Sequence, residues 1–517
     1  MTETKRLLEL VAAGTLAAGA LFAPQIAYAE GSGGAVITEA IIGEPPGLDP
    51  LITTTDVVAT PSEHIFETLF TFNSRWEVRP LLAESLPTIS GDGLTYIIPI
   101  RRGVSFQDRS KMQVEDVVAS LNRWVRAATL GKGSNSFNID RIEATNDHVV
   151  TIKLKQPYAP LLPLLAYPLS AAIITPQKNI KGNELTALIG TGPYSLAEHK
   201  PDQYIKLVRF KGYSSRKEPA DGTSGERKQI PDEIDFVPVP DNNTRVEGAV
   251  AGQYDYADGL PIEAYARLQK SNKSAPTLLP DLGWPFLAFN LRAGPMSHLK
   301  LRQAVAAALC PSDMLQAAFG DKKFYSMDGA LYPKSYGWHN EEGAEVYNQH
   351  NPEKASQLLK EGGYDGTPLR ILTSHQYEFH YQMAEVAKAC LEEAGFKVQL
   401  DVVDWATLTQ RRTNPKLWDV YVTHSLFNAE PATYSSYDSS SPMGWDTPER
   451  KRVWRGFITA AEPTKREQAF AQVQKLVWEQ LPFYKVGSFA WLAASNRKMT
   501  GVPEIGWPVF WNAKVNN

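Results

Sequence analysis

Cysteine is nearly absent from this chain of 517 residues, with only Cys310 and Cys390 present. Neither lies in a ligand-spaced motif, which excludes a zinc cluster and a Cys-x-x-Cys redox pair. Each sits at the end of an apolar helical pattern, so two buried thiols are expected; a disulfide is the alternative that export would allow. An excess of basic charge is also missing: 53 Lys and Arg face 57 Asp and Glu, a net charge of -4. Phosphate backbones call for a basic face, so nucleic acid is excluded as a partner. Catalytic signatures are missing as well. There is no Gly-x-Ser-x-Gly elbow and no His-Glu-x-x-His, so no enzyme and no cofactor is expected. The nine histidines are scattered. Only His375 and His380 are close, and a spacing of five does not put them on one helix face. They are expected to be surface or loop residues, and no metal site is expected. The stretch 131–137, Gly-Lys-Gly-Ser-Asn-Ser-Phe, lacks the spacing of a phosphate-binding loop and reads as a connection.

Long hydrophobic runs are lacking beyond the first residues. Lys5 and Arg6 precede an uncharged apolar run from Leu10 to Ala23, and Ala27-Tyr28-Ala29 has the small-x-small form of a cleavage site. Residues 1–29 therefore read as a secretory signal cleaved after Ala29, too short to span a bilayer. No cysteine adjoins the site, so the expected product is free of lipid, exported and periplasmic.

What is present is a length sufficient for more than one core, ordinary hydrophobic content (43%) and many aromatics, with 12 Trp, 21 Tyr and 20 Phe. Trp284 to Arg292 alternates and is aromatic, as a buried strand would be. Leu299 to Cys310 follows with Leu301, Val305, Ala308 and Leu309 on one helical face, and Pro311 stops it. This strand and helix mark the passage from one lobe to another. Ser62 to Phe70 reads as a helix with Ser62 as its cap. Asp92-Gly93 is a hairpin turn, Val114 to Leu121 opens a helix, and Lys211 to Lys228 reads as a surface loop. Further on, a helix capped by Asn351 with Pro352 at its first position precedes strands at 368–373 and 398–403. The helix between those strands, Tyr381 to Glu393, gives the strand–helix–strand order of an α/β lobe.

Several of these segments, in order, resemble a known family. Leu82-Ala83-Glu84-Ser85, Asp92-Gly93-Leu94-Thr95-Tyr96 and Glu115-Asp116-Val117-Val118 resemble the "LAESW…DGLTY…EDVVFSL" series of the family 5 solute-binding proteins of ABC importers. Thr191-Gly192-Pro193-Tyr194, Phe286 to Leu309 and Leu481-Pro482-Phe483-Tyr484 resemble further segments of the same family, and Gln107-Asp108-Arg109 departs from its usual "HDG". The resemblance covers nearly all of the chain after the signal. It implies an α/β fold of the two-lobed periplasmic-binding-protein clamshell (type II, cluster C-like), with an extra small domain inserted in the first lobe. The expected boundaries are lobe I at 30–76, 190–285 and 486–517, the small domain at 77–189 and lobe II at 286–485. The implied partners are a small-molecule ligand and an ABC permease complex in the inner membrane, with a monomer as the default state.

Ligand class follows from a departure. Peptide-binding members hold the peptide amine with an Asp before an acidic-Pro pair, and Glu430-Pro431 aligns with that pair. The anchoring position then falls on Phe427, or on Asn428 with a shift of one, and neither carries charge. The loop 373–377, where dipeptide binders carry an Arg, has none. The candidate ligand-binding residues are polar and aromatic: Glu44, Ser134, Asn135, Trp284, Ser374, His375, Tyr377, Trp405, Asn428 and Tyr434. Rings with neutral donors and acceptors suit opines or sugar conjugates more than free dipeptides. Di- or oligopeptide binding on the same scaffold is the alternative, and an exported hydrolase such as a glycosidase is the contrasting class.

Overall fold

The computed structural model describes residues 35–131, 138–375, 377–503 and 505–516. The fold is organised by one strand, Ser274–Phe289. Its first part, Ser274 to Leu279, pairs antiparallel with Trp491–Asn496 of the strand Ser488–Asn496. Its second part, Gly283 to Phe289, pairs with Val420–Leu426, and Phe286 to Ala288 also pair with Phe483–Lys485. The strand thus runs from one half of a twelve-stranded sheet into the other. On the first side the order continues through Tyr256–Leu260, Val36–Ile41, Glu233–Pro238, Tyr204–Arg209 and Tyr194–Lys200. On the second side Val420–Leu426 is followed by Leu369–Thr373 and Val398–Val402, which pair parallel to each other. The two-lobed α/β architecture expected from the sequence is the one observed.

The change of partner falls between Leu279 and Gly283, where the register slips. Asp281 there adopts φ +50, a left-handed conformation few non-glycine residues accept. Gly283 sits so close to the neighbouring strand that a Cβ would lie 2.9 Å from the Ser425 carbonyl oxygen. Beyond it, Trp284 to Phe289 are all buried because both faces of the strand are covered. Alternation sends Trp284, Phe286 and Ala288 into one core and Leu287 and Phe289 into another.

A separate four-stranded antiparallel sheet lies in the first side: Thr88–Ile89, Thr95–Pro99, Val149–Leu154 and Ile139–Asn146. Its hairpin turns at Asp92-Gly93 as expected, with Gly93 at φ +71. Helix Val114–Ala127 covers it through Val117, Leu121 and Trp124. Asn351 caps helix Pro352–Glu361, its side chain accepting from the Lys354 amide at 2.9 Å.

Four expectations are corrected. The helix placed at Ser62 to Phe70 spans Asp56–Ile65, and Phe70 opens a strand instead. The helix runs through Pro61, which cannot donate to the carbonyl one turn back, and Ser62 Oγ turns back to donate to the Leu48 carbonyl at 3.1 Å. The loop at Lys211 to Lys228 is anchored in the interior by Arg227, which pairs at 3.1 Å with buried Glu67. Cys310 and Cys390 are not free thiols but a disulfide, with Cα atoms 6.4 Å apart. The apolar faces that bury the two sulfurs pack helix Glu378–Glu393 against Leu299–Ala308 and Pro311–Phe319, so burial brings the thiols together. His380 is no surface residue: it lies on the inner face of helix Glu378–Glu393, fully buried.

Candidate functional site

A cavity of about 320 Å³ lies between the two sides. Thr54, Asp56, Leu130, Tyr167 and Leu169 line it from before the crossing; Phe286, Arg412, Tyr421, His424 and the segment 433–443 line it from after. This is the size and mixed polar–apolar lining of a small-molecule site.

The second side supplies its wall through the strand Val420–Leu426 and the loop that follows. That loop is held by Glu430, whose Oε1 accepts from the Ala432 amide at 2.9 Å and from Arg466 at 2.8 Å. Glu430 is wholly buried, so the acidic-Pro pair of this chain folds the loop rather than facing the cavity. Tyr434 Oη donates to the Leu426 carbonyl at 2.8 Å and accepts from the Asn428 amide at 2.6 Å. Burial pushes its phenol upward, keeping it neutral. Asn428 Nδ2 donates to Thr433 Oγ1 at 2.9 Å. Both Asn428 and Tyr434 line the cavity.

The other residues singled out from the sequence are placed as follows. Trp284 is core, stacked on Phe286 at 4.5 Å and edge-on to Tyr434 at 5.7 Å, so it packs on two lining residues without lining. Glu44 is spent within the first side, accepting from His199 at 2.7 Å and from the Asp202 amide at 3.0 Å. Ser374 is buried. His375 is exposed and pairs with Glu378 at 3.2 Å. Tyr377 and Trp405 meet edge to face at 5.0 Å, and Tyr377 also packs on His424 at 4.9 Å. Ser134 and Asn135 lie outside the described residues.

Sequence reasoning missed the charged groups. Asp56 opens helix Asp56–Ile65, and its Oδ1 accepts from Trp507 Nε1 at 2.9 Å. Burial raises its carboxyl to about 6; the indole hydrogen bond opposes this and the nearby Asp258 adds to it. Arg412 follows the short helix Trp405–Arg411 and lays its guanidinium 5.8 Å from the centre of the Tyr421 ring. His424 Nδ1 lies 3.0 Å from His380 Nε2. Burial lowers His424 to about 4 and holds His380 well below its usual range, with His424 adding to the effect, so both are neutral near pH 7. Three further lining residues carry buried hydroxyls with no hydrogen-bond partner among the described residues: Tyr167 Oη, Ser436 Oγ and Ser441 Oγ.

A two-lobed α/β molecule with a partly open cavity of mixed polarity between its halves has the form of a binding protein. The chain belongs to the bacterial extracellular solute-binding proteins, family 5, whose middle region matches residues 77–446. It is 26% identical over 535 residues to a probable peptide ABC transporter periplasmic-binding protein, y4tO, of Sinorhizobium fredii, covering 99% of each chain. It is 26% identical over 483 residues to the glutathione-binding protein GsiB of Salmonella choleraesuis, covering 89% of this chain and 91% of that one. In fold it matches AgaA of A. tumefaciens R10, solved with agropinic acid, at a TM-score of 0.73 with 23% identity over 93% of this chain and 99% of that one. The protein is therefore a substrate-binding component of an ABC importer, not an enzyme. It works outside the cytoplasm, with a small ligand and a permease complex as partners.

Proposed function

We propose that the cavity holds an opine, a sugar conjugate or a related amino-acid-derived solute, which the lobes enclose and pass to the permease. One observation carries this reading. Tyr167 from the first side and Ser436 and Ser441 from the second line the cavity, and their hydroxyls are buried with no partner among the described residues. An unmet buried hydroxyl costs about 1–3 kcal/mol, and a turn of these side chains toward the cavity lets a hydroxyl-bearing guest remove that cost. Phe427 is core and Asn428 is neutral, so the place where peptide binders carry their Asp offers no charge. GsiB is named for glutathione and AgaA was solved with agropinic acid, which supports a small organic solute. The alternative, a dipeptide, is favoured by the name of y4tO.

In this reading Asn428 and Tyr434 touch the solute, Tyr377 supports His424 from behind, and Trp405 packs on Tyr377 and His380. Residues 77–189 form an inserted small domain. Lobe I takes in the first side with the C-terminal tail, and lobe II runs from about Gly283 to Lys485. Ligand contacts from both lobes favour the closed arrangement, and only that difference in affinity drives closure. Removal of residues 1–29 leaves a periplasmic monomer.

A thermal-shift screen tests the ligand class, because a solute bound only by the folded state raises the melting temperature. Sugar–amino acid conjugates are expected to stabilise at lower concentration than dipeptides. Stabilisation by dipeptides and not by the conjugates would reverse the assignment.

A further inference from the structure

The cavity carries one charge of each sign, and they come from opposite sides of the crossing. Asp56 belongs to the first side. Its one described side-chain hydrogen bond is to a neutral indole, and no described cation pairs with it. Arg412 belongs to the second side, rests on the Tyr421 ring and has no described carboxylate partner. Both groups are half-buried, and a charge shielded from water without a counter-charge is costly, so a ligand of complementary charge relieves each of them.

His424 adds a donor near Arg412. In the neutral His380–His424 pair one ring donates and the other accepts. His380 Nδ1 is buried without a partner among the described residues. A bare nitrogen left unpaired is tolerated better than an unpaired N–H donor. His380 therefore donates from Nε2 to His424 Nδ1, and His424 keeps its own proton on Nε2. His424 lines the cavity, so this N–H is the donor it can offer a guest.

Resting on the reading that this cavity holds the transported solute, we infer that the solute is a zwitterion gripped in a fixed direction. Its ammonium faces Asp56 of the first lobe. Its carboxylate faces Arg412 and His424 of the second. Hydroxyls of the remainder meet Tyr167, Ser436 and Ser441 once these side chains turn toward the cavity. The chemical class is an N-substituted amino acid with a polyhydroxylated substituent. Closure then joins two half-sites of opposite charge, so neither lobe alone holds the guest.

The test is calorimetric titration of the full mature chain with fructosyl-glycine, fructosyl-glycine methyl ester and glycyl-leucine. The proteins are wild type, Asp56→Asn and Arg412→Gln, each first shown to melt cooperatively. Wild type is expected to bind fructosyl-glycine more tightly than its methyl ester. Each substitution is expected to weaken fructosyl-glycine by about thirtyfold or more, as loss of one partner of an enclosed charge pair does. Arg412→Gln should bind acid and ester alike, whereas Asp56→Asn should still prefer the acid. Equal affinity of wild type for acid and ester, or variants within about threefold of wild type, would overturn the inference. If glycyl-leucine binds and fructosyl-glycine does not, the proposed ligand class fails. The charge assignment then stands only if both substitutions weaken glycyl-leucine. Binding of neither compound overturns both.

Discussion

Asp56 is the residue on which recognition and stability pull in opposite directions. Burial raises its carboxyl from 3.8 to about 6, so the folded protein retains a proton that the unfolded chain releases. Where the native state binds more protons, stability falls as pH rises. The stabilising contribution of the protonated group is complete below pH 3.8 and is lost as pH climbs through about 6. Melting curves of wild type and Asp56→Asn without ligand should therefore draw apart between these limits, the variant gaining on wild type as pH increases. A difference that stays flat from pH 4 to pH 7 would contradict the burial assigned to Asp56. This carboxylate was not legible in the sequence. It follows a polar run, Thr53-Thr54-Thr55, and looks like any first-turn acid at a helix start. Arg412 was hidden in the same way beside Arg411, since a basic pair at the end of a short helix reads as surface. Asn428 and Tyr434 were legible because they stand next to Glu430-Pro431, a feature with a fixed place in the family pattern.

Among the elements, the strand Ser274–Phe289 was readable in its apolar half and unreadable in its first half. Trp284 to Phe289 announces itself by alternating large residues, whereas Ser274 to Asp281 mixes prolines with polar residues and takes its strand form from pairing with Ser488–Asn496. Tertiary pairing decides such a segment more than its own preference. The same holds for helix Asp56–Ile65, whose internal Pro61 obscures its start. The disulfide was open in the sequence because spacing says nothing about which helices touch. It ties helix Glu378–Glu393 to the start of Pro311–Phe319 across 80 residues. Replacing both Cys310 and Cys390 by Ala should lower the free energy of unfolding by about 2–4 kcal/mol, measured by urea denaturation, because the unfolded chain regains the freedom of a long loop. Solute affinity should stay the same, since neither cysteine lines the cavity. An unchanged unfolding midpoint would show that the bridge adds nothing to packing already in place.

At the scale of the molecule, two halves share one sheet, and a single slip of register near Asp281 separates their pairing. The order of segments made this architecture legible, because several family motifs, such as Asp92 to Tyr96, Glu115 to Val118 and Leu481 to Tyr484, fall where a strand or helix begins. The interior of the site was less legible, because it is assembled from positions as far apart as Asp56, Tyr167, Arg412 and Ser441, brought together only by folding. The central claim is that a solute is held between the halves by groups from both. The most direct measurement is a crystal structure of the protein with its co-purified solute in place. The account predicts one molecule touched at once by Asp56 or Tyr167 from the first side and by Arg412, Ser436 or Ser441 from the second. A solute contacted from only one side of the crossing, or seated outside this cavity, would contradict it.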